Sequence, residues 1–138
     1  MKTLAHPPGR LLLGLGCLQL FIGIGAVAGG VGLVSAPDGS ALGLPLELLE
    51  HSPFPDYFIP GLVLLIVNGL GSLAGGIITL RRSRMAAEVA IALGTFLVLW
   101  IVVQIAIIRS VHWLHVLYFI IGLIETWLGL RLRRVAAG

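Results

Sequence analysis

Residues 11–34 read LLLGLGCLQLFIGIGAVAGGVGLV, an uncharged run that decides the class of the fold. A helix needs about 20 apolar residues to cross the roughly 30 Å hydrocarbon core of a bilayer. Three further apolar runs cover residues 58–80, 86–108 and 113–130. Backbone polar groups in lipid must be satisfied within their own segment, so all four runs are predicted to be helices. The prediction is therefore an all-α polytopic membrane protein, one membrane domain with four transmembrane helices in a bundle.

The composition agrees with this class and argues against a nucleic-acid-binding protein. Hydrophobic residues make up 58% of the chain and charged residues 11%, whereas soluble domains have about 25% charged residues. The net charge is +3, but the nine Lys and Arg lie in short segments beside the apolar runs. Cys17 is the one cysteine, so no disulfide can form within the chain.

The distribution of basic residues predicts the orientation in the membrane. On one side lie eight basic residues: Lys2, Arg10, Arg81, Arg82, Arg84, Arg131, Arg133 and Arg134. The other side has only Arg109. By the positive-inside rule, the N and C termini are predicted to be cytoplasmic and residues 35–57 to form an outer loop. The alternative that residues 11–34 are a cleaved signal peptide is disfavoured because the run is longer than a usual signal-peptide core.

The outer loop carries two local signals. Leu46–Glu50 (LELLE) is predicted to form a helical turn at the membrane interface, with leucines in lipid and glutamates in water. Asp56 precedes the second apolar run and is predicted to cap its helix. An irregular, proline-rich loop is the alternative.

Polar residues inside the apolar runs are the candidate intramembrane site. Glu125 lies six residues before Arg131, about 9 Å along a helix. It is interpreted as an interfacial or paired glutamate, with a proton- or cation-handling carboxylate as the alternative. Gln19, Asn68 and Gln104 occupy three different spans. They are expected to hold helices together, or alternatively to line a polar cavity.

Glycines crowd the first two spans. Gly25 and Gly29 have small-xxx-small spacing, as do Gly71 and Gly75. Such spacing lets helix backbones approach closely. Spans one and two are therefore predicted to pack tightly, with each other or with copies in an oligomer.

A second candidate site lies on the outer face. His112 and His115 are three residues apart, so they share one face of a helix. Two histidines without a fixed third ligand predict no metal site, and they are interpreted as interfacial anchors. Arg109 is expected to pair with Glu47, Glu50 or Asp56, or to bind a lipid phosphate.

Two stretches resemble small bacterial four-helix inner-membrane proteins that have no assigned activity. They are residues 52–61 (SPFPDYFIPG) and 113–119 (WLHVLYF), together with Trp100 and Gln104. The resemblance implies the architecture and a bacterial inner membrane, but no activity. Small multidrug transporters also have four helices, but they keep a glutamate in the first span, where this chain has none.

These observations predict a non-enzymatic protein without a cofactor, because no nucleophile has an evident base and no catalytic motif is present. The preferred function is a structural, accessory or assembly component of the membrane, acting as a homo-oligomer or with a larger membrane-protein partner. The alternative is a small-solute or ion transporter or channel that uses Gln19, Asn68, Gln104 and Glu125.

Overall fold

The computed structural model describes residues 3–137. Within this range, four helices are long and apolar enough to cross a membrane: α1 (Gly9–Ser35), α2 (Phe58–Leu80), α3 (Ala86–Ile108) and α4 (Trp113–Ala137). The predicted all-α, four-helix polytopic fold is confirmed. The side of the membrane on which the termini lie stays a prediction.

The four helices pair as two antiparallel hairpins. Helix α1 packs along the whole of α2, and α3 packs along the whole of α4, whereas contacts between the two pairs are much sparser. We call α1–α2 the first hairpin and α3–α4 the second hairpin. Helix α1 is the most buried of the four and α3 the least, so α3 has the largest share of its surface left uncovered by the rest of the chain.

Glycines that recur every seven residues on α1 hold the first hairpin together. A methyl group added to Gly16, Gly23 or Gly30 would lie 2.6, 2.7 and 2.6 Å, respectively, from side-chain atoms of Leu80, Leu73 and Leu65. In return, Gly61, Gly69 and Gly76 of α2 receive Leu33, Val27 and Leu20 of α1. Each large side chain fills the space left by a glycine, so the two backbones approach closely and gain dispersion contacts.

The middle of α2, Leu64–Leu70, is π-helical, and the spacing of its glycines explains why. Gly69 and Gly76 are seven residues apart, but Gly61 and Gly69 are eight apart. A π-helical turn takes up one residue more than an α-helical turn, because its hydrogen bonds reach five residues back instead of four. The π segment absorbs the extra residue and keeps both ends of α2 in register with α1.

Glycines also allow close contact between the two helices of the second hairpin. A methyl group on Gly94 of α3 would lie 2.7 Å from the backbone nitrogen of Thr126. On α4, a methyl group on Gly129 would lie 3.0 Å from the backbone nitrogen of Ile91. Both helices therefore approach each other at backbone distance, and neither has room for a side chain at these positions.

The prediction that spans one and two pack tightly is confirmed, but of the four glycines singled out for it only Gly29 faces the other helix of the first hairpin, beside Leu64. Gly25 lies beside the hydroxyl of Tyr118 on α4, and Gly75 lies beside Leu93 on α3. Gly71 also lies beside Leu93, so three of these four glycines face the second hairpin. The interface between α1 and α2 uses the seven-residue spacing, which brings residues back to the same face of a helix after about two turns.

The outer loop is folded against the ends of α1 and α3. It contains two short 3₁₀ helices, Ser40–Leu42 and Leu46–Leu49, the second of which lies within the segment predicted as a helical turn. The N-cap of α2 is Tyr57, and the predicted bond from Asp56 to the first turn is present: the Phe58 N–H donates to Asp56 Oδ1 over 3.0 Å. The Tyr57 hydroxyl donates to the Pro45 carbonyl over 2.7 Å. Burial, and secondarily the charge of Glu47, raises the pKa of Tyr57.

The N-terminal segment lies on the loop between α2 and α3. The Leu4 N–H donates to the Arg82 carbonyl over 2.8 Å, and Arg84 Nε donates to the Thr3 carbonyl over 3.4 Å. Because α4 is antiparallel to α1, its C-terminal arginines lie at this same end, which we call the basic end. The opposite end, with the outer loop, is the outer end. Lys2, which was assigned to the basic side, lies outside the described residues.

Candidate functional site

Glu125 lies halfway along α4, on the side that faces the first hairpin. Its side chain is 0% exposed, and neither carboxylate oxygen has a hydrogen-bond partner among residues 3–137. Because α4 packs tightly on α3 alone, the space around Glu125 belongs to the sparser interface between the hairpins. A buried carboxyl group without a hydrogen bond is costly when charged, so this position is chemically distinctive.

Gln19 of α1 connects Glu125 to the first hairpin. The Thr79 hydroxyl of α2 donates to Gln19 Oε1 over 2.7 Å, and both side chains are fully buried. Gln19 Nε2 has no hydrogen-bond partner within residues 3–137, and the Gln19 side chain is the polar neighbour of the Glu125 carboxyl group. We call Gln19, Thr79 and Glu125 the polar layer.

Apolar side chains close the polar layer on both sides along the bundle axis. Towards the basic end lie Leu12, Leu15, Ala86, Ala87, Ala90 and Leu132. Towards the outer end lie Ile22, Leu97, Ile101 and Ile121. Both clusters draw on α1, α3 and α4, so the polar layer is enclosed between them.

Asn68 and Gln104 do not join the polar layer. Gly69 packs against Val27, which places Asn68 level with α1 residues about eight positions beyond Gln19, or roughly 12 Å along the axis. Gln104 is half-buried and follows Ile101 of the outer apolar cluster by three residues. Asn68 is buried in the π-helical segment, and its Nδ2 atom has no hydrogen-bond partner in the described range.

The four residues therefore do not line one cavity. Gln19 and Glu125 are neighbours, while Asn68 and Gln104 lie nearer the outer end. Two surface grooves, of about 400 and 590 Å³, are lined by other residues. This arrangement favours helix-to-helix bonding for Gln19, whereas Glu125 and Asn68 are buried with polar side-chain atoms that have no hydrogen-bond partner in residues 3–137.

Thr79 was missed by the sequence interpretation. Threonine is weakly polar and common near span ends, and Thr79 is two residues before Arg81. Thr79 could be identified only from the antiparallel register of α1 and α2, in which Gly16 packs against Leu80. This register brings the Thr79 hydroxyl within reach of the long Gln19 side chain.

His112 and His115 lie together at the start of α4, where they bond to the backbone. His112 Nδ1 accepts the Leu114 N–H over 3.2 Å, and His115 Nδ1 accepts the His112 N–H over 3.0 Å. This reciprocal pattern resembles a capping box, in which two side chains satisfy free N–H groups in the first turn of a helix. Residues 3–137 hold no group of three or more His, Cys, Asp or Glu arranged for a metal ion.

Arg109 ends α3 in the left-handed conformation, with a φ of 59°. It makes no ion pair with Glu47, Glu50 or Asp56; in residues 3–137 the contact at ion-pair distance joins His51 to Glu50 over 3.2 Å, and it is an ion pair only when His51 is protonated. The expected pairing of Arg109 with the outer-loop acids is absent from the structure.

Comparison with protein-family models, curated proteins and solved structures gives no match. The four-helix architecture implied by the resemblance is present. A family and a bacterial origin are not shown.

Proposed function

We propose that this integral membrane protein is a non-enzymatic structural, accessory or assembly component of the bacterial inner membrane. It would act as a homo-oligomer or beside a larger membrane-protein partner. The observation that carries the proposal is the glycine–leucine interlocking of the first hairpin, repeated at backbone distance in the second. Helices that fit so closely form a preassembled unit, and a preassembled unit suits a scaffold better than a device that must move.

The polar layer supports the same proposal. Gln19 and Thr79 bond α1 to α2, a use of polar side chains that stabilises helix pairs by about 0.6 to 2 kcal/mol. Asn68 and Gln104 do not share a cavity with them. These residues therefore serve packing, and no pathway through the bundle is needed to explain them.

Purification after crosslinking in the native membrane tests the proposal. The tagged protein is crosslinked before mild detergent is added, and a tagged unrelated four-helix protein at equal abundance is the control. We expect a reproducible larger partner or a homo-oligomer of defined mass, absent from the control. A strictly monomeric protein that conducts a solute in liposomes would refute the proposal.

Glu125 supports a second candidate function, a small-solute or ion transporter or channel that handles protons. Its carboxyl group is buried at the interface where the hairpins make few contacts, and protonation removes the cost of a buried charge. Under the accessory proposal, Glu125→Gln leaves growth and protein level unchanged. Loss of proton flux in liposomes with Glu125→Gln, but not with exposed Glu88→Gln, would establish the transporter instead.

The cytoplasmic location of both termini is part of the proposal and has its own test. A reporter active only in the periplasm, fused after Gly138, should give no signal. The same reporter inserted next to Gly43, where the loop has open space, should give a strong one, because the positive-inside rule places this loop in the periplasm. The reverse result would show that the positive-inside rule fails for this chain.

A further inference from the structure

An open groove separates α1 from α4 at the basic end. It has a volume of about 590 Å³ and is lined by Pro8, Gly9, Arg10, Leu11, Gly14, Leu15, Leu128, Arg131 and Val135. The lining includes two arginines and no acidic residue. We call it the α1–α4 groove.

The mouth of the groove is cationic. Arg10 lies in the first turn of α1, and the Arg131 guanidinium carbon lies 5.5 Å from the centre of the Trp127 ring, which holds the arginine by a cation–π contact. Neither arginine belongs to an ion pair within residues 3–137. Arginine binds phosphate through two parallel hydrogen bonds, so two arginines at one mouth suit a phosphate group.

The start of α1 adds to the positive potential at the same place. Its N-cap is Pro8, no side chain caps the free N–H groups, and the first turn contains no acid. A helix N-terminus carries partial positive charge and favours an anion. Pro8 and Gly9 line the groove, so this end of the helix borders the same mouth as the arginines.

The walls of the groove are apolar. Leu11, Leu15, Leu128 and Val135 line it together with Gly14. Nothing lies within 4 Å of the place where a Gly14 side chain would begin. A cationic mouth that continues into an apolar trough matches a phosphate headgroup with an acyl chain beneath it.

We propose that the α1–α4 groove binds one anionic phospholipid, with its phosphate at Arg10 and Arg131 and an acyl chain over Gly14. The two sparsely packed hairpins would be joined at this end by lipid as well as by protein contacts. The charge of the mouth selects an anionic lipid over a zwitterionic one, and the trough selects a lipid over a free phosphate.

Native mass spectrometry of the full chain in detergent tests this, with phosphatidylglycerol as the probe and phosphatidylcholine as the comparison. We expect one tightly bound phosphatidylglycerol. The double variant R10Q/R131Q should weaken its binding about tenfold or more, because it removes the charge-assisted hydrogen bonds that the two arginines would donate to the phosphate. The matched control R81Q/R134Q removes the same charge from exposed positions outside the groove, and it should change binding less than about threefold.

Gly14→Leu provides a variant that keeps both charges. Its side chain enters open space, so the helix should form normally while the acyl chain is displaced and binding falls. Equal losses in the groove and control variants, equal binding of phosphatidylcholine, or undiminished binding to Gly14→Leu would each overturn the proposal. Glycerol 3-phosphate competing at equal concentration would indicate a phosphate site without a lipid, and a dimer dissociated by Gly14→Leu would assign the groove to a second copy.

Discussion

The interfaces inside the two hairpins and the interface between the hairpins bury different chemistry. Inside each hairpin, glycines let large apolar side chains of the partner helix reach the backbone, as Gly30 does for Leu65 and Gly129 for Ile91. Between the hairpins, contacts are sparse and the buried Glu125 carboxyl group lies beside Gln19 without a hydrogen bond.

This difference suggests that each hairpin is rigid, whereas the two hairpins can move relative to each other. Interdigitated packing has no slack, because moving either helix would push side-chain atoms into backbone. The interface between the hairpins has fewer contacts and holds the unpaired polar atoms of Gln19 and Glu125, although two apolar clusters also cross it. Any protonation, partner or lipid that alters this protein is therefore expected to act between the hairpins and not within them.

The largest effect is expected from deleting one residue of α2. Deleting Ile77, in its α-helical part, rotates Leu80 by about 100° away from Gly16 and Thr79 away from Gln19, and should strongly destabilise the basic end of the first hairpin. Deleting the lipid-exposed Ile66 from the π segment should be tolerated, because the spacing from Gly61 to Gly69 then becomes seven residues and an α-helix fits it. Helical circular dichroism and thermal unfolding in detergent would measure both.

The outcome distinguishes two origins of the π segment. If both deletions are equally damaging, the π turn serves a purpose other than register, with Asn68 as its first candidate. If the Ile66 deletion is tolerated, the eight-residue spacing is sufficient to explain it.

A smaller effect is expected from adding single methyl groups to α1. Gly30→Ala would place a methyl carbon 2.7 Å from the Leu65 Cα, and overpacking of this kind costs about 1–3 kcal/mol of unfolding free energy. Gly14→Ala, on the same helix, meets nothing within 4 Å and should be neutral or stabilising by up to about 1 kcal/mol. Reversible unfolding in mixed micelles with increasing dodecyl sulfate would measure the difference. Equal stability of the two variants would contradict close packing of the first hairpin.

The architecture was predictable because lipid restricts which backbone structures can form. A run such as residues 58–80 has one solution in hydrocarbon, a helix, and helix α2 has these same bounds. The packing of the glycines was less predictable, because spacings of four and seven residues coexist in α1 and sequence alone does not say which face meets which helix. The π segment follows from the eight-residue spacing of Gly61 and Gly69. This spacing is recognised as irregular only when it is compared with the seven-residue spacing of the glycines on α1.

The candidate site was predictable only in part. Glu125 and Gln19 were selected because polar residues are rare in such runs, and they prove to be neighbours. Asn68 was selected on the same ground but lies nearer the outer end than Gln19. Its position along the bundle axis depends on the antiparallel register of α1 and α2. The histidines at the start of α4 were interpreted as interfacial anchors, and their cap geometry depends on backbone N–H groups that no residue pattern reveals.

The smallest predicted effect compares one polar pair inside the first hairpin with one pair between the hairpins. A double-mutant cycle with Gln19→Leu and Thr79→Val should give a coupling of about 0.6 kcal/mol, and at most about 1.7 kcal/mol, the range for hydrogen bonds between membrane helices. A cycle with Gln19→Leu and Glu125→Leu should give a smaller coupling than the first, because neither Glu125 carboxylate oxygen accepts a hydrogen bond from the neighbouring Gln19 amide. Unfolding in mixed micelles would measure both cycles. A larger coupling for Gln19 with Glu125 would mean that the amide and the carboxyl group bond across the sparse interface in the folded protein, and the contrast between the two interfaces would then disappear.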